Sequence, residues 1–389
     1  METEIRYLAK AFEKVTIISQ ANSTTNQREV PENVEVRNLK VKLSKAERVL
    51  SLMGRFSKIY REERRIIRET EGLNWNIPVI KTFVISLARA KKIEKIARNL
   101  NSEFAEYSNY FYSYWSDDSA IGLALFRSKN PEIRCFSRVH GWDVYFEASA
   151  IGYLPMRKYL ARNLDAIFAI SQAGKDYCEN RWGIDDPAKV RIARLGVQQH
   201  EFHAGFQEPF TIVSCANMIP LKRIHLLIDA LGMLETKKQI RWVHFGDGPL
   251  SEELKRRAAT KIPEEIDVQF AGHRSNSELM QWYAENRPAL FVNTSSTEGI
   301  PVSIMEAMSF GTPIIATDVG GTSEIVNGTN GKLIHAGFSA NELKNELVKI
   351  INAGEEQMGR YRSEAYKSWD KKFNSDTNYI HFIDQIKAL

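Results

Sequence analysis

Cysteine is scarce in this sequence. Three cysteines occur among 389 residues, far apart at positions 135, 178 and 215. A disulfide framework needs an even number of cysteines, and a zinc site needs closely spaced ligands, so this pattern fits neither. We therefore interpret Cys135, Cys178 and Cys215 as thiols of the core.

Long apolar runs are also missing. A membrane-spanning helix needs about eighteen consecutive, mainly apolar residues, and no such run occurs. The first residues, METEIRYLAK, lack the apolar segment of a secretory signal. We expect a soluble, cytoplasmic protein, and peripheral attachment to the inner face of the cytoplasmic membrane remains open.

The length and composition are those of two domains. With 43% hydrophobic residues in 389, the chain can build two cores. Strand-like segments such as VTIIS, IRCFSRV and AIFAIS alternate with segments of helical period, which predicts an α/β fold with parallel sheets. The alternation starts again at FTIVSCAN. We predict domains over residues 1–203 and 204–363, and a helical segment, 364–389, that crosses back to the first domain.

Positive charge is concentrated in one segment. Residues 40–98 contain 16 Lys or Arg and 6 Asp or Glu, a net charge of +10 in a chain of net charge +5. Apolar residues recur there at helical spacing, which predicts amphipathic helices with a cationic outer face. These apolar residues are Val49, Leu50, Met53, Phe56, Ile59, Tyr60, Ile66 and Ile67. Such a face is either simply solvated or binds anionic lipid headgroups or an anionic lipid-linked acceptor.

The segment ALFVNTSSTEGIPVSIMEAMSFG reads as a buried strand, a loop and a helix that begins at Pro301. Free N–H groups at such a helix start bind anions, and this arrangement predicts a phosphate site. Glu298 lies in the loop and Glu306 on the helix, and a carboxylate can accept two hydroxyl hydrogens from a sugar diol. A nucleotide sugar has both groups. The alternative is that Glu298 is a helix N-terminal charge and Glu306 a solvated helix residue.

A second candidate phosphate site lies in SCANMIPLKRIHLLIDAL, where a strand leads through a turn into a helix. Lys222 is at the helix start, where a cation is unfavourable unless an anion is bound. Arg223 beside it is either a ligand or a surface charge. The junction HFGDGPLSEEL adds Gly246 and Gly248, whose spacing is a weak signal by itself.

Together, the two glutamates, PLKR, GDGP and the continuation GTPIIATDVGG resemble the retaining glycosyltransferases of the GT-B fold, family 4, or glycosyl transferases group 1. The resemblance covers nearly the whole chain. It implies two Rossmann-like, doubly wound domains that face a central cleft. It also implies that Glu306 binds the ribose of a nucleotide sugar, Glu298 the donor sugar and Lys222 the diphosphate.

In the first half, RCFSRVHGWDVY is similar to the family segment whose histidine meets the donor sugar. His140 is therefore the third catalytic candidate, with Glu298 and Lys222; a capped loop histidine is the alternative. The resemblance assigns the remaining donor-binding candidates as Asn217, Arg223, Gly246, Gly248, Gly299, Ile300, Pro301, Val302 and Glu306. Asn217 stands where the family commonly has arginine, which leaves the preferred nucleotide undetermined.

The implied activity is transfer of a sugar from a nucleotide-diphosphate sugar to a glycan or lipid-linked acceptor, with retention of anomeric configuration, in cell-surface polysaccharide synthesis. The donor is a substrate, and we expect no cofactor. No Asp-x-Asp triplet occurs, so we expect no metal. The alternatives are a nucleotide-sugar epimerase and a non-catalytic protein that binds nucleic acid through its basic segment. The presence of His140, Lys222, Glu298 and Glu306 favours the transferase, and nucleic acid is not an expected partner.

The sequence leaves the acceptor and the chain start open. An aromatic cluster in the first domain is interpreted as core more readily than as a sugar platform: Tyr107, Tyr110, Phe111, Tyr112, Tyr114 and Trp115. Family members begin with a strand and a glycine-rich loop, whereas this sequence begins with what reads as the following helix, ETEIRYLAKAFEK. We therefore expect the natural protein to start upstream by roughly 10 to 20 residues.

Overall fold

A computed structural model describes residues 2–20, 29–39, 41–51, 53–54, 57–70 and 75–389. It divides into two compact units, which are described separately. Unit 1 comprises Met1–Ala193 and Ile380–Leu389, and unit 2 comprises Arg194–Tyr379.

Unit 2 begins before the predicted boundary at residue 203. The reason is that the residues after Arg194 are bonded to unit 2: the Val197 N–H donates to the Phe373 carbonyl at 2.9 Å. The guanidinium of Arg362 likewise donates to the His203 carbonyl at 3.0 Å. Of the predicted final segment, residues 364–379 stay with unit 2, and only the last residues belong to unit 1.

Unit 1 has seven helices within the described residues, besides the end of a helix that starts in unit 2. They are α1 Glu2–Ala11, α2 Lys45–Ser51, α3 Lys58–Thr70, α4 Ile77–Glu103, α5 Asp118–Arg127, α6 Arg157–Asn163 and α7 Gln172–Arg181. Its described strands are β1 Val15–Ser19, β2 Val34–Asn38, β3 Tyr110–Ser113, β4 Arg134–Val139, β5 Ala166–Ala169 and β6 Val190–Ile192. Strands β1 and β2 form one parallel sheet, and β3-β4-β5-β6 form a second in chain order.

Strands β4 and β5 are buried along almost their whole length. This explains the continuous apolar sequence of β5, AIFA, because a parallel strand covered on both faces has no solvent side. Strand β4 also buries two polar residues, Ser137 and Arg138. Phe382, from the last residues of the chain, is fully buried against Phe136 of β4 and Phe168 of β5. The end of the chain is therefore part of the unit 1 core.

Helix α3 has the predicted amphipathic pattern. Ile67 is buried, and Ile59 and Tyr60 pack against the core. Glu63 on the same side is 5% exposed and accepts hydrogen bonds from the Tyr153 hydroxyl and the Met156 N–H. The outer face carries four exposed arginines, Arg61, Arg64, Arg65 and Arg68, besides exposed Lys58 and Glu69.

Two apolar residues of the basic segment do not face the core, contrary to the prediction. Val49 is 68% exposed and Met53 is 65% exposed. The short helix α2 turns Ser51, not Val49, inward, since Ser51 is 8% exposed. Phe56 and the Leu50 side chain lie outside the described residues.

Unit 2 contains seven helices, of which the last continues into unit 1. They are α8 Ile224–Gly232, α9 Ser251–Lys261, α10 Asn276–Asn286, α11 Val302–Ser309, α12 Ala340–Ile351, α13 Glu355–Phe373 and α14 Ser375–Lys387. The strands are β7 Phe210–Cys215, β8 Ile240–Phe245, β9 Ile266–Gly272, β10 Leu290–Asn293, β11 Ile314–Thr317 and β12 Gly331–Ile334.

The six strands of unit 2 form one parallel sheet in the order β12-β11-β10-β7-β8-β9. The chain runs outward from β7 through β8 and β9, then returns to the other side of β7 with β10. The direction of winding thus changes between β7 and β10. In doubly wound sheets, ligands bind beyond the carboxyl ends of the strands at this switch point.

The predictions drawn from the few cysteines and from the missing long apolar runs can be compared with the structure. Cys135 and Cys178 are buried thiols and Cys215 is half-buried; all three are unpaired, which confirms the interpretation as core thiols. None of the helices in the described ranges has the length and apolar character required to cross a membrane.

Candidate active site

Two charged loops flank the switch point of unit 2. Lys222 follows β7, and Glu298 follows β10, the strand beside it. The Lys222 Nζ lies 2.6 Å from the Glu298 Oε1, and these side chains are only 24% and 11% exposed. The anion that compensates Lys222 in this structure is therefore a carboxylate of the protein. The fold brings two candidates that are distant in sequence into one site.

Arg223, next to Lys222, is held by loops of the same sheet edge. Its backbone is left-handed, with φ of 48°. Its guanidinium donates to the carbonyl oxygens of Thr294 at 2.8 Å, Ser295 at 3.1 Å and Ala336 at 2.6 Å. These carbonyls follow β10 and β12. Arg223 thus ties the loops together, and the interpretation as a surface charge is wrong; its contact with a donor stays a prediction.

The glycines after β8 allow two loops to meet backbone to backbone. Gly246 and Gly248 have φ of 132° and 157°. A Cβ would lie 2.0 Å from the Ala216 carbonyl oxygen at Gly246, and 2.7 Å from that of Met218 at Gly248. Any larger residue would therefore push the loop after β7 away. Asn217, between the two contacted residues, is exposed on that loop.

Helix α11 presents free backbone donors. It begins at Val302 rather than at Pro301, because Pro301 keeps an extended conformation with φ of −72° and ψ of 115°. The Pro301 carbonyl accepts from the Ile304 N–H at 3.1 Å. Among the described residues, the N–H groups of Gly299, Ile300 and Val302 have no hydrogen-bond partner. This arrangement suits an anion.

Glu306 of α11 is buried, with 8% of its surface exposed. Its Oε1 accepts a hydrogen bond from the Asn276 Nδ2 at 2.6 Å. Burial raises the pKa of Glu306 to about 7. The alternative of a solvated helix residue is therefore wrong. Asn276 was not predicted, since nothing in the sequence of α10 marks its first residue as a partner of α11.

The loop that carries Glu298 depends on three further residues, whose contacts sequence reasoning missed. Gly320 has φ of 55°, and a Cβ there would lie 1.8 Å from the Glu298 carbonyl oxygen. The neighbouring Gly321 N–H donates to the Gly299 carbonyl at 2.7 Å. The Asn293 Nδ2 donates to the Glu298 Oε1 at 3.3 Å. The glycine pair in TDVGG was visible in the sequence, but its contact with the glutamate loop was not.

His140, in unit 1, follows β4. Its ring lies 4.5 Å from that of Tyr114 and 4.2 Å from that of Trp115, centroid to centroid. Both ring nitrogens are shielded from solvent, and neither has a hydrogen-bond partner within the described ranges. Burial, assisted by the charge of Arg138, lowers the pKa of His140 to about 2. The imidazole is thus neutral and has an unused donor and acceptor.

Asp143 holds the His140 loop, and sequence reasoning missed it. The carboxylate is fully buried. Its Oδ1 accepts from the N–H groups of His140 at 2.9 Å and Gly141 at 3.0 Å, and its Oδ2 accepts from the Ser116 N–H at 2.9 Å. One side chain therefore connects the loops after β3 and β4. The available signal was the acidic residue in HGWD.

Sequence comparison gives a family match in unit 2. Residues 209–353 match the model of the family described as glycosyl transferases group 1. An uncharacterized glycosyltransferase of Methanocaldococcus jannaschii is 27% identical over 304 residues, which cover 77% of this chain and 80% of that protein. The O-antigen biosynthesis glycosyltransferase WbnH of Escherichia coli is 25% identical over 243 residues, 62% of this chain and 66% of that protein. The match thus spans just under two thirds of WbnH.

Comparison of folds agrees with this match. The structure of HepE from Anabaena in complex with UDP-glucose superposes with a TM-score of 0.61 at 17% sequence identity, covering 97% of this chain and 100% of that chain. Identity this low shows the fold alone. The predicted GT-B architecture is confirmed. Residues 209–353 therefore form a group 1 glycosyltransferase domain, and the chain is a glycosyltransferase of the GT-B fold.

Proposed function

We propose that the protein transfers a sugar from a nucleotide-diphosphate sugar to a glycan or lipid-linked acceptor, with retention of anomeric configuration and without a metal, in cell-surface polysaccharide synthesis. The observation that carries the proposal is the Lys222–Glu298 pair at the switch point of unit 2. The complex of HepE with UDP-glucose and the O-antigen role in the name of WbnH support it. These relatives are transferases, which favours transfer over the epimerase alternative.

The site of unit 2 matches the charge that develops during transfer. Breaking the bond between the anomeric carbon and the phosphate oxygen makes the sugar positive and the leaving diphosphate negative. In this proposal, the Lys222 ammonium and the free N–H groups at the start of α11 stabilise the diphosphate. When the diphosphate binds the Lys222 ammonium in place of Glu298, the Glu298 carboxylate becomes available to accept hydrogen bonds from sugar hydroxyls. The donor therefore replaces an internal ion pair.

Glu306 suits the ribose. Two vicinal hydroxyl groups can donate to one carboxylate, and such charge-assisted hydrogen bonds are stronger than neutral ones. Without a donor, the Asn276 Nδ2 is the one group of the described residues that donates to the buried carboxyl group. Donor binding would supply the missing hydrogen bonds and thereby offset the cost of burying the charge.

We assign His140 to turnover. Its neutral ring has two nitrogens that are shielded and unused in the described structure, so it can donate to one oxygen and accept from another. The resemblance of its segment to the family implies contact with the donor sugar near the anomeric centre. In this assignment the acceptor hydroxyl attacks from the leaving-group face, and no protein nucleophile is required.

A donor screen tests the proposal. We expect one class among uridine, guanosine and adenosine diphosphate sugars to raise the melting temperature, because a ligand at about 100 times its Kd stabilises by about 2.7 kcal/mol. The same donor should lose a sugar to an acceptor with release of nucleoside diphosphate, and transfer should survive EDTA. Among the described residues, no cluster of three or more His, Cys, Asp or Glu could hold a metal ion. Abolition by EDTA and rescue by manganese would contradict the metal-free mechanism; no shift with any donor would contradict the function.

The proposal includes a membrane surface for unit 1. Arg61, Arg64, Arg65 and Arg68 are exposed on α3, and none of them forms an ion pair with another described residue. Clusters of this kind bind anionic lipid headgroups. Exposed Val49 and Met53 in the same basic segment add apolar surface. We therefore propose peripheral attachment to the inner face of the cytoplasmic membrane, where a lipid-linked acceptor would be found.

A further inference from the structure

Two tryptophans beside His140 are exposed and lie against each other. Trp115 is 37% exposed and Trp142 is 53% exposed. Their ring centroids are 5.5 Å apart, with 35° between the planes. Large aromatic side chains are usually mostly buried, and a contiguous exposed pair marks a binding surface more often than a single exposed residue does. Packing within the chain therefore does not explain why these two tryptophans are exposed side by side.

The structure separates this pair from the other aromatics of the same region. Phe111 packs against the core of unit 1, and Tyr112 stacks on Phe136 at 5.1 Å. These residues fit the interpretation as core. Trp115 lies beyond the end of β3, which stops at Ser113, so it is carried by a loop and not by the sheet.

The loops that carry the two tryptophans are fixed in place. Asp143, next to Trp142, accepts hydrogen bonds from the N–H groups of His140 and Ser116, and Ser116 is next to Trp115. The hydroxyl groups of Ser116 and Ser137 are 2.8 Å apart and buried. A surface held in this way loses little conformational entropy when a ligand binds.

We propose that Trp115 and Trp142 form an aromatic platform that binds a pyranose ring of the acceptor, beside His140. The C–H face of a pyranose is apolar and flat, so it stacks on indole, while its hydroxyls remain at the edge. Neither indole N–H has a hydrogen-bond partner among the described residues, so each can donate to a hydroxyl. This inference rests on the proposed transfer reaction and names the chemistry by which its acceptor is recognised.

Charge and location favour a carbohydrate acceptor over the other ligands. The segments SYWSDD, from Ser113, and VHGWDV, from Val139, contain aspartates but neither lysine nor arginine. An anionic lipid headgroup or a diphosphate would need cations there. Lys222 and Glu306, which are assigned to the diphosphate and the ribose of the donor, are in unit 2. The platform is in unit 1, next to His140, which is assigned to the donor sugar. A neutral sugar of the acceptor fits best.

Methyl glycosides provide the test. Methyl glycosides of glucose, galactose and N-acetylglucosamine are the ligands, and binding is followed by saturation-transfer NMR and tryptophan fluorescence. We expect binding to the wild-type chain, roughly tenfold weaker binding to Trp142→Ala and Trp115→Ala, and near wild-type binding to Trp142→Phe, which keeps a flat ring. Tyr107→Ala is the matched control, because Tyr107 is another exposed aromatic residue of unit 1, 37% exposed. Sorbitol, which has hydroxyls but no ring, should not bind.

Different outcomes separate the platform from the reaction. Equal glycoside binding by the wild type and both alanine variants, or no binding at all, would overturn the platform. Loss of the thermal shift given by the nucleotide sugar in Trp142→Ala would overturn its assignment to the acceptor. If the two alanine variants lost binding to vesicles containing phosphatidylglycerol but kept glycoside binding, the tryptophan pair would be a lipid contact. That result would also overturn the platform. Tryptophan-dependent glycoside binding without transfer from any donor would contradict the proposed function and leave the sugar site standing.

Discussion

The Lys222 Nζ lies 2.6 Å from the Glu298 Oε1, so the cation proposed to bind the diphosphate is neutralised by the carboxylate proposed to bind the sugar. Glu298→Gln should therefore leave nucleoside diphosphate affinity unchanged or raised, because Lys222 is released, while transfer falls by about 10² or more. Lys222→Met should weaken nucleoside diphosphate binding. Calorimetric titration with the nucleoside diphosphate and its sugar measures both. Weaker nucleoside diphosphate binding by Glu298→Gln would show that the pair acts differently.

Glu306→Gln should weaken donor binding and, at high pH, raise the stability of the folded chain. Burial raises the pKa of Glu306 from 4.5 to about 7, so the folded chain binds this proton more tightly than the unfolded chain. The contribution of Glu306 to the free energy of unfolding is full below pH 4.5 and is lost as pH rises to about 7. Gln keeps an acceptor for the Asn276 Nδ2 and does not titrate.

We therefore expect Glu306→Gln to melt higher than the wild type at pH 8 and no higher at pH 4.5. Its donor affinity should be weaker by roughly 10- to 100-fold at pH 8, because a charge-assisted hydrogen bond contributes about 1.5–3 kcal/mol. Wild-type donor affinity should increase as pH rises through about 7. Melting curves and donor titrations across this range give the answer. A pH-independent difference in melting temperature would contradict the buried carboxyl group.

His140→Ala should lower kcat far more than it weakens donor binding, because the proposed contact is made during transfer. Burial keeps the imidazole neutral, with a pKa of about 2, so the loss should be the same from pH 6 to 8. His381→Ala is the matched control, since His381 is an exposed histidine of unit 1. Equal losses in kcat and in donor affinity would argue against a role in turnover.

Gly320→Ala should destabilise unit 2 and reduce transfer. Gly320 has φ of 55°, and a Cβ would lie 1.8 Å from the Glu298 carbonyl oxygen, so the glutamate loop must move. We expect a loss of about 1–3 kcal/mol in stability. Gly328→Ala, where a Cβ meets nothing within 4 Å, is the control and should be close to neutral. Chemical denaturation and transfer assays compare the two; equal behaviour would contradict the contact.

Removing charge from α3 should weaken binding to anionic vesicles. Each cation near such a surface contributes about 1 kcal/mol, so three substitutions should cost about 3 kcal/mol and the effect should fade at high salt. The test variant replaces Arg61, Arg65 and Arg68 with glutamine. The control variant replaces three exposed basic residues of α9, Lys255, Arg256 and Lys261. Cosedimentation with phosphatidylglycerol vesicles measures both, and equal binding would leave α3 as a solvated face.

The sequence was sufficient for the parts of the site that lie next to strand ends. Lys222 and Glu298 could be placed because each follows a recognisable buried strand, and parallel strands end at one edge. The partners of these residues could not be placed. Asn276 reaches Glu306, and Asp143 reaches Ser116, across gaps in sequence that only the packed fold closes. Contacts of this kind produce no periodicity or spacing in the sequence, so they could not be predicted from it.

The same limit explains the errors. From its type and position, Arg223 was expected to be a ligand or a surface charge. In the structure, its guanidinium donates to backbone carbonyls of loops that are distant in sequence. Val49 was assigned to a buried face because its spacing is helical, yet the short α2 turns another residue inward. A helical pattern fixes which residues share a face. It does not fix what that face contacts.

The guanidinium of Arg223 bears on how fast a ligand could bind to unit 2. Loops after β10 and β12 converge on this one planar group, which is adjacent in sequence to Lys222. These loops are thus held together without a ligand. If the donor binds here as proposed, its association would not wait for the loops to order, and little configurational entropy would be lost on binding. Lysine could not replace Arg223 in this task, because a compact ammonium lacks the flat, forked set of donors that reaches several carbonyls at once.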